Sequence, residues 1–210
     1  ACHAAALGVR SAWVSALGDD ALGDRVRNTV AARGVKVDWV RTDPEAPTGV
    51  YFKDPGRGVL YYRRGSAASR MGVDLVTDVP IEQAEVVHIS GITPALSPRC
   101  ATLIDAIVAR VRSSTTLLSL DINYRAGLWP TNVAGPVLHS LAQSADIVFV
   151  GLDEARTIWG CMTPDDTRAL LNGTPRLVVK DGAADATEFK RMDGLDTRTT
   201  VAAIPTDVIE

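Results

Sequence analysis

Leu117-Leu118-Ser119-Leu120-Asp121-Ile122-Asn123-Tyr124-Arg125 is the stretch on which the reading of this 210-residue chain turns. Its first half is an apolar run of strand length, and it ends in an acid, an amide and a guanidinium. The same alternation recurs on either side. Glu85 to Ser90 reads as a strand, and Ser97-Pro98 opens a helix carrying Leu103, Ile104, Ile107, Val108 and Val111. Further on, Asn132 to Ala142 reads as a helix, Asp146 to Val150 as a strand and Asp153-Glu154 as a helix start. Thr163-Pro164-Asp165-Asp166 caps another helix, and Leu177 to Lys180 is a nearly all-apolar strand. Asn172-Gly173-Thr174 and the Asp193-Gly194 segment read as turns. Short Val/Leu/Ile-rich strands alternating with helices predict one α/β domain over residues 1–210, with a mostly parallel central sheet covered on both faces.

Toward the N-terminus, Ala1 to Leu7 reads as a helix and Ser11 to Leu17 as a strand. Gly18-Asp19-Asp20 supplies a turn and an N-cap for a helix with Leu22, Val26 and Val30 on one side, closed by Gly34. Val35, Val37 and Trp39 alternate as a short strand. Two strands then follow in succession, Gly49 to Lys53 and Val59 to Arg63, joined by a turn-rich loop at 54–58. This hairpin, residues 49–64, does not fit the alternation and is expected to project as a small β lid over a pocket. Its second strand ends in Tyr61-Tyr62-Arg63-Arg64 before Gly65 and small residues suited to starting a helix. Tyrosine hydroxyls and an arginine fork suit a carboxylate ligand, while an edge strand with solvated Tyr and Arg is the reading that needs no ligand.

The composition, 46% hydrophobic and 22% charged, suits one sizeable core, and a net charge of -3 gives no basic excess for a nucleic-acid partner. No apolar run approaches a membrane span, and no signal-peptide order opens the chain, so a cytoplasmic protein is expected. Cys2, Cys100 and Cys161 are far apart and read as small buried hydrophobes rather than a disulfide or zinc set. Neither a P-loop nor a dinucleotide fingerprint occurs.

In an open α/β sheet ligands gather beyond the carboxyl ends of the strands, which selects Ser90 to Thr93, Asp121 to Arg125, Gly151 to Glu154 and Lys180 to Gly182. Asp121, Asn123 and Arg125 stand two apart, and in extended geometry they share one face suited to a polyhydroxylated anion. An Asx-turn with Arg125 paired to Asp121 is the alternative.

On Val14 to Asp20, Tyr61-Tyr62-Arg63 with Gly65 to Ser69, Ser90-Gly91-Ile92-Thr93, Asp121 to Arg125 with Leu128-Trp129, and Val178 to Gly182, the chain resembles the ribokinase-like (PfkB) sugar kinases. Within them it is similar to the kinases of 2-keto-3-deoxygluconate. The resemblance implies a Rossmann-type three-layer α/β domain with a β lid, ATP and Mg2+ as cofactors, and transfer of the γ-phosphoryl to the 6-hydroxyl of the sugar acid. It implies that Tyr51, Tyr61 and Arg63 on the lid, the backbone at Ile92, and Arg125 hold the substrate. Lys180 and Gly182 would lie near the nucleotide. Glu154 matches the glutamate of the family's Asn-x-x-Glu motif, which organises magnesium through water, but Gly151 stands where the asparagine is expected. No catalytic base is expected within the chain. The family's Gly-Ala-Gly-Asp segment, whose aspartate is that base, would follow Glu210, so an internal fragment truncated at both ends and without kinase activity is expected. Lid pairing between subunits would give a homo-oligomer. Another substrate such as fructose or ribose, or a non-catalytic sugar-acid binder, are the other readings.

Overall fold

The computed structural model describes residues 1–54 and 58–205, in two compact units: Ala1–Val79 with Leu96–Ala106, and Pro80–Ala95 with Ile107–Glu210. The first contains α1 (Cys2–Ala6), β1 (Ser11–Ala12), β2 (Ser15–Gly18), α2 (Ala21–Ala32), β3 (Val35–Lys36), β4 (Val40–Asp43), β5 (Val50–Asp54) and β6 (Gly58–Tyr62). Where one strand was expected over Ser11 to Leu17, two form, because each half finds a different parallel partner: β1 pairs with β3 and β2 with β4. β4 escapes the sequence reading because only Val40 is buried in it, while Arg41 and Thr42 face solvent and give no alternation.

Asp20 ties this unit together. Its Oδ1 accepts from the Gly23 amide at 2.8 Å, capping α2, and its Oδ2 accepts from the Thr48 amide at 2.7 Å. The Thr48 hydroxyl in turn accepts from Gly18 N at 2.9 Å. These bonds hold the Asp20 carboxyl below its ordinary range. They also demand glycine at 18, since a Cβ there would lie 2.6 Å from both Ala46 O and Thr48 N. Of the stripe Leu22, Val26 and Val30 expected to bury α2, Leu22 and Val26 stay exposed and Val30 is half-buried, and Gly23 alone is buried in that helix.

β5 and β6 form the expected antiparallel ribbon, Tyr51 opposite Tyr61; the loop expected at 54–58 lies partly outside the described residues. After Gly65 the chain makes short 3-10 helices at Ala67–Arg70 and Val73–Val76 rather than an α-helix. Cys100 packs here with no exposure, its thiol 3.4 Å from Ala68 O. Burial raises the pKa of both Cys100 and Cys161, while Cys2 is half-buried.

The second unit holds β7 (Val86–Ser90), the latter part of α3 (Pro98–Arg112), β8 (Leu117–Asp121), α4 (Thr131–Ser144), β9 (Ile147–Gly151), α5 (Leu152–Trp159), α6 (Pro164–Leu170), β10 (Arg176–Asp181), β11 (Asp185–Met192) and β12 (Leu195–Ala202). These strands make one six-stranded sheet in the order β12-β11-β10-β9-β8-β7, parallel from β7 to β10 and antiparallel beyond. One face is a continuous core: Ile89, Leu118, Leu120, Val148, Val150, Leu177, Val179 and Phe189 are all buried. The opposite face carries His88, Ser119, Ile147, Phe149, Val178 and Glu188, of which only Ser119 is buried. Within this unit the first face is thus fully buried, and the opposite face is half-buried at Ile147, Phe149, Val178 and Glu188.

The turns fall where the Gly and Asn residues place them. Asp193 and Gly194 both adopt positive φ, 51° and 79°, between β11 and β12. Among the described residues no helix is long and apolar enough to cross a membrane.

Candidate functional site

The lid ribbon sorts its side chains by strand alternation. Tyr51 and Tyr61 meet with ring centroids 6.1 Å apart, and the Arg63 guanidinium lies 3.9 Å above the Tyr61 ring. The three lid residues singled out from the sequence are thus one cluster on one face. Tyr62 instead packs edge-on against Phe52, centroids 5.7 Å apart, on the other face, and Arg64 is exposed. Stacking on Tyr61 restrains the Arg63 fork while leaving its donors open for an anion.

In the second unit the parallel strands end side by side. Beyond β7, Gly91 donates to Asp121 O at 2.8 Å, and the approach is so close that a Cβ at 91 would overlap the Ile122 carbonyl. Ser90 Oγ accepts from Asn123 Nδ2 at 2.8 Å, and the Ile92 amide lies 3.5 Å from the same oxygen. Asn123 has φ of +44°, in the left-handed region, so the extended geometry that would put Asp121, Asn123 and Arg125 on one face ends at this residue. The Asp121–Arg125 pair does not form either. Arg125 Nη1 donates to Glu154 Oε1 at 3.1 Å and to Tyr124 O at 2.6 Å, whereas Asp121 takes Lys180 Nζ at 3.2 Å.

Glu154 sits at the third position of α5, where its Oε2 accepts from the Gly151 amide at 3.0 Å. Gly151 has no side chain to offer a cation, and the place of its missing Cβ is filled by the Asp153 carboxylate. Asp153 and Glu154 are hard oxygen donors of the kind that hold magnesium through water, so their chemistry fits such a cation. Among the described residues no group of three or more metal-ligating side chains occurs. Lys180 stands opposite Gly151 in the β9–β10 ladder, and Gly182 turns the chain at φ of +52° into β11. Sequence reasoning missed the Ser90–Asn123 bond and the Arg125–Glu154 and Lys180–Asp121 pairs. Only the presence of complementary types at neighbouring strand ends could have announced them.

The model of the pfkB family of carbohydrate kinases matches residues 1–209. The chain belongs to that family. It is 34% identical over 199 residues to a 2-dehydro-3-deoxygluconokinase of Thermoproteus tenax, covering 90% of this chain and 60% of the relative. It is also 32% identical over 164 residues to a 2-dehydro-3-deoxygalactonokinase of Haloferax volcanii, covering 75% of this chain and 51% of that one. The chain thus spans between about half and 60% of the length of these relatives. Its fold is similar to that of a PfkB protein from Polaromonas sp. JS666, with a TM-score of 0.86 at 30% identity over 97% of this chain and 70% of the other.

Proposed function

We propose that the protein carrying this pfkB-family chain is an ATP- and Mg2+-dependent kinase of the cytoplasm that phosphorylates the 6-hydroxyl of a 2-keto-3-deoxy sugar acid. The observation that carries this reading is the cluster of Tyr51, Tyr61 and Arg63 on one lid face, with the arginine fork over a tyrosine ring. An anion-binding fork beside hydroxyl donors suits a carboxylate on a polyol, and a neutral sugar would leave that charge without a partner. Arg125 would take the carboxylate as well, and the Ile92 backbone would lie beside the substrate. Lys180 and Gly182 would line the nucleotide. Glu154, with Asp153 in the space of the missing asparagine, would hold the waters of magnesium, whose charge offsets that of the phosphates. The general base is proposed to lie outside residues 1–210.

The test is calorimetric titration of the 210-residue chain with 2-keto-3-deoxygluconate, its galactonate epimer, fructose and ribose, alongside a coupled assay for ATP turnover. The expected result is binding of the sugar acids, about tenfold or more weaker binding of the neutral sugars, and no turnover. Equal affinity for fructose would remove the acid specificity, and turnover by the chain alone would place a base within it.

The second lid face supports a homo-oligomer. Phe52, Leu60 and Tyr62 stand more than half exposed on an isolated two-stranded ribbon, which cannot bury them itself. We infer that a second copy covers them. Phe52→Ser with Leu60→Ser is expected to yield monomers in sedimentation velocity, and a wild-type chain already monomeric at micromolar concentration would refute this.

A further inference from the structure

The sequence gives Arg125 and Glu154 separate tasks, yet the folded chain binds them to each other. Arg125 Nη1 donates to Glu154 Oε1 at 3.1 Å and also to Tyr124 O. No bond from Nε or Nη2 to another described residue accompanies these two, and the side chain retains 42% of its exposure. The fork formed by Nε and Nη2 is thus open to a bidentate carboxylate, while the same positive charge is already shared with Glu154. Glu154 is fixed more firmly, with 15% side-chain exposure and its Oε2 on the Gly151 amide at 3.0 Å.

We propose that Glu154 is a positioning residue that sets the affinity of Arg125 for the substrate carboxylate, and that the two carboxylates compete for one guanidinium. This rests on the reading that Arg125 binds a sugar acid. Glu154 orients the fork and lowers its net attraction for an anion. When a substrate carboxylate takes the Nε–Nη2 edge, two negative groups face the same cation, and the hold on Glu154 Oε1 weakens. Substrate binding and release of Glu154 are in this way one coupled event, with equal and opposite effects by linkage.

Glu154→Gln tests it, because the amide oxygen can still accept from Gly151 N while the charge is gone. The expected result is about three- to fivefold tighter binding of 2-keto-3-deoxygluconate in calorimetry, the equivalent of losing a partly exposed competing ion pair. Fructose affinity is expected to stay unchanged, so that the gain is confined to ligands that carry a carboxylate, which a merely structural role for Glu154 would not give. Sugar-acid affinity that is unchanged or weakened in Glu154→Gln overturns the proposal. Arg125→Ala separates this from the underlying reading: a wild-type chain that does not bind the sugar acid, or an Arg125→Ala variant that binds it as well as wild type, overturns the sugar-acid role of Arg125 and the competition with it.

Discussion

Arg63→Ala is expected to raise the dissociation constant for 2-keto-3-deoxygluconate about thirtyfold, while Arg64→Ala changes it less than about twofold. The larger figure is what the loss of a charge-assisted hydrogen-bonded contact amounts to, about 2 kcal/mol. The contrast follows from strand alternation: Arg63 lies on the face of Tyr51 and Tyr61, stacked 3.9 Å above the Tyr61 ring. Arg64 lies two residues beyond the end of β6, on the other side of the chain from Arg63, and is exposed. Because Arg63 also steadies Tyr61, Arg63→Lys is the informative companion. It keeps the charge and loses the planar fork, and an intermediate loss is expected. Calorimetry on the three variants decides the matter, and equal losses for Arg63→Ala and Arg64→Ala would mean that the other face grips the substrate.

The largest effect on stability is expected from Arg168→Ala, about 3 kcal/mol, or a fall of about 10 °C in melting temperature. Arg168 is 95% buried on α6 and donates to both oxygens of Asp196 at 2.9 and 2.7 Å, and to Thr174 O at 2.6 Å. Removing it strands a buried carbonyl and leaves Asp196 with Arg191 alone. Arg168 and Arg191 together hold the Asp196 carboxyl far below its ordinary value, the hydrogen bonds from Arg168 contributing most. Arg110 likewise lowers Glu82 from 4.5 to about 2. For a carboxyl depressed in the folded state, the stabilisation is complete above its unfolded pKa and is lost as pH falls toward the folded one. Wild type is therefore expected to lose stability between about pH 4.5 and pH 2. Arg168→Ala is expected to lose less over that window, since less of the Asp196 shift remains. Parallel melting curves in the two proteins across that range would contradict the assignment.

The parallel half of the sheet was legible because β8, β9 and β10 bury one face and carry largely apolar residues on the other, leaving apolar runs bounded by caps and glycines. The β5–β6 ribbon was legible for the opposite reason: two strands in succession interrupt an otherwise regular alternation. What escaped was set by pairing across distance. β4 carries one buried residue, Val40, and becomes a strand only because β2 lies beside it. At the site, residue types and strand ends could be read, but partners could not. Asp121, Arg125, Glu154 and Lys180 can combine in more than one way, and the left-handed turn at Asn123 decides which. Nothing in the residues around Arg168 distinguishes its buried guanidinium from any other charge in the last turn of a helix, because its partner Asp196 lies 28 residues away.

The root of the lid is pinned on both strands. On the entering side Thr48 is bonded to Asp20 and Gly18, and on the leaving side Ala67 N donates to Pro47 O at 2.9 Å while Ser66 N donates to Arg63 O at 3.1 Å. A ribbon clamped in this way behaves as a cantilever rather than a door. It has no free hinge at its base, so displacement along β5 and β6 comes by twisting of the ribbon and is smallest at the root. Arg63, one residue beyond β6, and the Tyr51–Tyr61 and Phe52–Tyr62 pairs all lie on the root half of the ribbon, whereas Lys53 with Val59 and Asp54 with Gly58 lie farther out. The proposed anion grip of Arg63 and the hydroxyls of Tyr51 and Tyr61 would then be held at a fixed spacing from one another, like the jaws of a gauge set to one gap.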